Sequence, residues 1–168
     1  ITNRLVGSEM CIRDSLDPES FKSDAFSVVD LIHPDDVITQ PRTEGIAFRV
    51  VERGTDDHCI DQAFKRMAIA AGAKLHYNSK RDPQDCQIIA AGPKESSAVA
   101  FGEIFHTDHP NHVSFQLNDK LAPGAYSYLI IIDGIGLICT CLWRKQKKSG
   151  RYLNETIASV SYTHLRAH

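Results

Sequence analysis

The sequence predicts an α/β segment leading into antiparallel β, and three observations carry that prediction. Residues 46–93 alternate between a period-two apolar run, a run at helical spacing and further short apolar runs, the texture of a β-α-β unit with a parallel sheet. From Ala98 onward the apolar runs AVAFGEIF, HVSFQL and AYSYLIIIDGIGLICTCLW are separated by turn residues with no helical period between them. Within the last run Asp133-Gly134 is a hairpin signal, because a two-residue turn with positive φ at both positions favours this pair.

Both ends of the chain are set apart by their coding. LVGSEMCIRD, from Leu5, back-translates to a DNA string whose reverse complement reads VSYTHLRAHE, and the chain ends in VSYTHLRAH. The two ends are therefore the two strands of one element, of the kind used as a transposon-type sequencing adapter. Residues 1–15 and 159–168 are expected to be adapter translation, with Ser159 at the boundary, and are left out of fold reasoning. The biological segment is then 16–158, expected to be an internal piece of a longer protein.

Without Arg4, Arg13 and Arg166, and without Glu9 and Asp14, the 19 basic and 21 acidic residues become 16 against 19. A net charge of this sign argues against a nucleic-acid binder. The cluster Arg144, Lys145, Lys147, Lys148 reads as a solvated turn. Cys59, Cys86, Cys139 and Cys141 show no C-x-x-C spacing. Cys139 and Cys141, two apart in an apolar run, share a strand face as small hydrophobes. The composition fits a reducing cytoplasm, and no apolar run reaches the roughly 18 residues of a transmembrane helix.

Residues 16–45 are punctuated by Pro18, Pro34 and Pro41, so only FSVVDLI (Phe26 to Ile32) is expected to be regular. IAFRVVER (Ile46 to Arg53) alternates as a strand. Thr55, Asp56 and Asp57 offer N-caps. Ile60, Phe64, Met67, Ala68 and Ala71 form a helical stripe expected to pack on a sheet, with Gly72 as the stop. AKLHYN is then a short strand, KRDPQD a turn, and CQIIAAGP a strand entering Gly92-Pro93.

In open α/β sheets ligands gather beyond the carboxyl ends of strands. Two such ends occur here, Arg53-Gly54 and Ala91-Gly92-Pro93. Glycine permits close backbone approach and arginine suits phosphate; the plain alternative is a tight turn with a surface arginine. HTDHPNH spaces His106, His109 and His112 three apart around Asp108. Pro110 makes this a poor frame for convergent ligands, and no metal site is expected. No serine or cysteine has a nucleophile signature.

The strings VVERGTDDHCIDQAFKRMAIAAGAKLHYN, DCQIIAAGP, FGEIFHTD and NDKLAPGAYSYLIIIDGIGLICTCL, in this order, resemble FAD-dependent oxidoreductases of the geranylgeranyl reductase group, within the hydroxybenzoate hydroxylase-like fold. The likeness runs from about Ile46 to Leu142. It implies a partial FAD-binding β-α-β unit over 16–97 and part of a β-sheet substrate domain over 98–158. Arg53, Ala91, Gly92 and Pro93 would lie beside FAD. Pro123, Gly124, Tyr126 and Tyr128 would form the wall between flavin and substrate, their plain alternative being core and turn residues. Ala91 stands where the group has threonine, and Ala125 where it has a second glycine.

The resemblance implies an oxidoreductase reducing alkene bonds of an apolar, isoprenoid-like small molecule, with NAD(P)H as electron donor. Flavin-dependent monooxygenation or halogenation is the alternative chemistry, and a non-catalytic β-rich binding domain the alternative class. The G-x-G-x-x-G loop of such proteins is expected upstream of Leu16 and their later Gly-Asp motif downstream of Ala158. The segment alone is expected neither to hold FAD nor to be active.

Overall fold

The computed structural model describes residues 18–41, 44–92 and 96–164. Residues 1–17, 42–43, 93–95 and 165–168, which include Pro93 and most of the coding-matched ends, lie outside them. The elements in chain order are β1 (Ser23–Phe26), β2 (Asp30–Ile32), β3 (Ile38–Thr39), β4 (Phe48–Val51), α1 (Ile60–Ala70), β5 (Val99–His106), β6 (His112–Gln116), β7 (Ser127–Ile132), β8 (Ile135–Leu142) and α2 (Ser149–His164). The content is mixed α/β and mostly strand. No helix among the described residues is long and apolar enough to cross a membrane.

The chain divides into two compact units, Ile1–Asp24 with Arg49–Lys94, and Ala25–Phe48 with Glu95–His168. Residues 25–48, assigned from the sequence to the first domain and mostly to loop, instead group with the second and supply β2 and β3.

In the first unit, β4 leads through a loop to α1. The helix starts later than the sequence suggests: Cys59 is its N-cap, without a side-chain capping bond, rather than Thr55, Asp56 or Asp57. Its end follows the expectation. Gly72 takes φ +89°, its N–H donates to the Ile69 carbonyl at 2.9 Å, and Ala73 N–H donates to the Ala68 carbonyl at 2.9 Å. These are the paired bonds of a Schellman cap, which glycine completes without the Cβ penalty of positive φ.

The predicted β-α-β unit is not seen among the described residues. Residues 73–78 and 86–92 contain no strand, and among the described residues no parallel crossover joins β4 to a second strand. Only Ile60 and Ala63 of α1 are buried, whereas Phe64 is 47% and Ile88 86% exposed. A strand needs a hydrogen-bonding neighbour and a helix stripe needs a sheet to cover. Neither is present for these segments among the described residues, so their apolar side chains remain in solvent.

The second unit is a six-stranded sheet in the order β3-β2-β6-β7-β8-β5. Strands β6, β7, β8 and β5 are successively antiparallel, as the sequence predicts, while β2 joins β6 in parallel. The β7–β8 hairpin turns on Asp133 (φ 49°) and Gly134 (φ 79°), the two positive angles that a type I′ turn requires. Helix α2, which the sequence analysis did not assign, covers one sheet face. Its Leu153 is buried with Leu129, Ile131 and Ile138, and Phe105, Ile157 and Val160 pack around them. Leu153, Ile157 and Val160 recur at helical spacing. The helix therefore runs into the segment matched to adapter coding and uses Val160 in its packing.

Candidate functional site

Strand periodicity and register sort the side chains of the second unit onto two faces. Ser127, Leu129 and Ile131 point with Ile138 and Thr140 toward α2, and the intervening Tyr128 and Ile130 point the other way with their partners Cys139 and Leu137. Across β6 the pairs Phe115↔Tyr128 and Val113↔Ile130 extend that second face. Gly102↔Cys139 and Ile104↔Leu137 extend it across β5. An antiparallel sheet with one solvated face alternates apolar and polar residues; SYLIII in β7 and IGLICTCL in β8 are apolar on both. The middle of the second face, at Val113, Tyr128, Ile130 and Cys139, is buried, while Ile104 is 76% and Ile135 51% exposed.

Aromatic rings collect at one end of this face. Tyr126 and Tyr128 lie 6.4 Å apart between centroids, and Phe115 is 5.6 Å from Tyr126 and 6.1 Å from Tyr128. Phe48 meets Phe115 edge to face at 5.5 Å, a favoured aromatic geometry. The two tyrosines thus share a face, as residues two apart on a strand must. Ser127 turns to the opposite side, where its hydroxyl donates to Gln116 Oε1 at 3.2 Å.

Pro123 and Gly124 act one step back from this face. Ala125 N–H donates to the Ala122 carbonyl at 2.9 Å and Gly124 has φ +83°, so Pro and Gly occupy the two central positions of a turn with the type II signature. Gly124 N–H donates to Asp119 Oδ1 at 2.7 Å, and Arg144 Nη2 donates to both Asp119 oxygens at 2.7 and 3.0 Å. The Gly124 N–H, with Arg144 beside it, holds the Asp119 carboxyl below its usual range. This clamp fixes the turn that delivers Tyr126 into the sheet.

Cys139 and Cys141 lie on the aromatic face. Hydrogen bonding from Cys141 draws the Cys139 thiol below the ordinary thiol range and raises Cys141 in turn. Both are free thiols.

In the first unit Arg53 Nε donates to Asp61 Oδ2 at 2.6 Å, and Gly54 N–H donates to the same oxygen at 2.9 Å. Asp61, in the first turn of α1, thereby fastens the Arg53-Gly54 turn, and its carboxyl is held low chiefly by Arg53. Ala91 and Gly92 are exposed. No hydrogen bond among the described residues joins them to Arg53. His109 Nδ1 lies 2.9 Å from the Pro110 carbonyl, and His112 Nε2 lies 3.9 Å from Asp30 Oδ2. The group that does converge is Glu52, His58 and Cys59, whose ligand atoms lie within 4.8 Å of one another. No metal-ligand spacing in the sequence marks it, since Glu52 stands six residues before the adjacent His58-Cys59 pair.

No protein family, curated protein or solved structure matches the chain.

Proposed function

We propose that the six-stranded sheet is the substrate-binding sheet of an FAD-dependent oxidoreductase acting on an apolar, isoprenoid-like alkene. One observation carries the reading: the central strands β7 and β8 are mostly apolar on both faces, one covered by α2, the other carrying the Phe48, Phe115, Tyr126 and Tyr128 cluster and exposed at its margin, at Ile104 and Ile135. Exposed apolar surface marks a binding site, and the margin of this face, at Ile104, Ile135 and Tyr126, offers a hydrocarbon chain an apolar strip beside a buried middle. The tyrosine rings would orient it by their apolar faces.

Arg53, Ala91 and Gly92 fit the phosphate or ribose edge of FAD. Gly92 has φ +76° and nothing within 4 Å of where a Cβ would stand, which leaves its backbone open to close approach. Arg53 is held through Nε, with its two terminal nitrogens directed to no partner among the described residues. When bound, FAD supplies hydride transfer from NAD(P)H to a substrate carbon, chemistry that belongs to the cofactor. The chain's own part is to position and desolvate.

A second reading, an apolar-ligand-binding β module without redox chemistry, is favoured by the same face being built wholly within the second unit. The protein, purified with FAD and supplied with NADPH and farnesol without oxygen, distinguishes them. Saturation of a farnesol double bond, read by mass spectrometry, is the expected outcome. Farnesol bound but recovered unchanged, with the flavin still oxidised, would favour the binding module.

A further inference from the structure

We infer that Glu52, His58 and Cys59 form a binding site for a borderline-soft divalent cation of the zinc class. His58 Nε2 lies 2.7 Å from Glu52 Oε2, and Cys59 Sγ is within 4.8 Å of both ligand atoms. Tetrahedral zinc binds sulfur at about 2.3 Å and nitrogen or oxygen at about 2.0–2.2 Å, so three such atoms close on one ion with small side-chain movements. Thiolate with imidazole and carboxylate selects zinc over the hard cations, which take oxygen ligands.

The backbone already holds the ligands together. Ile60 N–H donates to the Glu52 carbonyl at 3.0 Å, and Cys59 N–H donates to the Asp56 carbonyl at 2.9 Å. Cys59 is only 3% exposed. Although it is the N-cap of α1, it makes no side-chain capping bond, and its sulfur has no hydrogen-bond partner among the described residues. Gly54 leaves room beside that sulfur, since a Cβ there would stand 3.7 Å from it.

In the structure Lys22 Nζ lies 2.9 Å from Glu52 Oε1, so an ammonium now neutralises the carboxylate. Metal binding takes over that role, converts the Cys59 thiol to a thiolate and releases its proton to solvent. His58 and Glu52 are partly exposed, which leaves the fourth position to water and makes the site an open one. The bound ion would tie the end of β4 to the start of α1 and so brace the Arg53-Gly54 turn between them.

Titrating the chelator-treated chain with cobalt(II) chloride tests this. A thiolate-to-cobalt charge-transfer band and tetrahedral d–d absorption should rise together, saturate at one ion per chain and vanish when zinc is added. Cys59→Ser should abolish the charge-transfer band, His58→Gln should weaken binding at least tenfold, and Lys22→Met should not weaken it. His58 is an exposed residue, so its variant reads the site even if Cys59→Ser disturbs the fold. Absence of a thiolate band in the wild-type chain, or a band unchanged in His58→Gln, would overturn the proposal.

Discussion

The ring of Phe105 stands over Gly136, its partner across β5 and β8: a Cβ at residue 136 would fall 2.3 Å from the ring's Cζ. The glycine is there for the ring, which packs beside the Leu129, Ile131, Ile138 and Leu153 core. Gly136→Ala must therefore move Phe105 or the strand. Overpacking of this kind costs about 1–3 kcal/mol, which should appear as a lower denaturation midpoint with an unchanged m-value. An unaltered midpoint would mean that the ring is not confined there.

Beneath α2 the hydroxyl of Thr156 is fully buried, and no group among the described residues accepts or donates a hydrogen bond to it. A buried polar atom without a partner costs about 1–3 kcal/mol. Thr156→Val keeps the shape and removes the atom, so it should raise thermal stability. Loss of stability would show that the hydroxyl has a partner in solution.

Acid should release the Pro123-Gly124 turn in a definite window. The Asp119 carboxyl is held below its usual value of 3.8 by Gly124 N–H and Arg144. A group whose folded pKa is depressed contributes stability that is complete above its unfolded pKa and is lost as pH falls through the folded one. The Gly124 amide resonance should accordingly hold steady from neutral pH down to about pH 4 and shift below it. In Asp119→Asn that acid transition should be missing. An identical transition in the variant would assign it to another group.

Val160 occupies the position after Leu153 and Ile157 on the packing stripe of α2. Helical periodicity places an apolar side chain against the sheet whatever the origin of its codon. Val160→Ala should cost about 1 kcal/mol, of the order of one or two partly buried methyl groups. No loss would show that the helix frays before this turn.

The second unit was legible in the sequence because its signals are local. Apolar runs bounded by turn residues wrote out β5 to β8, and Asp133-Gly134 wrote the hairpin. Tyr126 and Tyr128 had to share a face by the period of a strand. The first unit was misread because a β-α-β unit is a statement about neighbours. IIAA at 88–91 is apolar enough for a central strand, yet apolar content does not supply a partner to pair with. Helix α2 was missed where LNETIASV spreads its contacts Leu153, Thr156, Ile157 and Val160 across the expected end of the biological segment. Glu52, His58 and Cys59 meet only because the loop folds back, with Ile60 bonded to Glu52, and no spacing rule records that closure.

Binding of an isoprenoid to the aromatic sheet face is the claim on which the functional reading rests, and farnesol titration of the chain, followed by tyrosine fluorescence, measures it directly. Saturable binding in the micromolar range, about −8 kcal/mol, is expected, weakened about tenfold or more in Tyr126→Ala and in Ile104→Glu. Saturable binding that both variants leave unchanged, or no binding by the folded wild-type chain, would contradict the account.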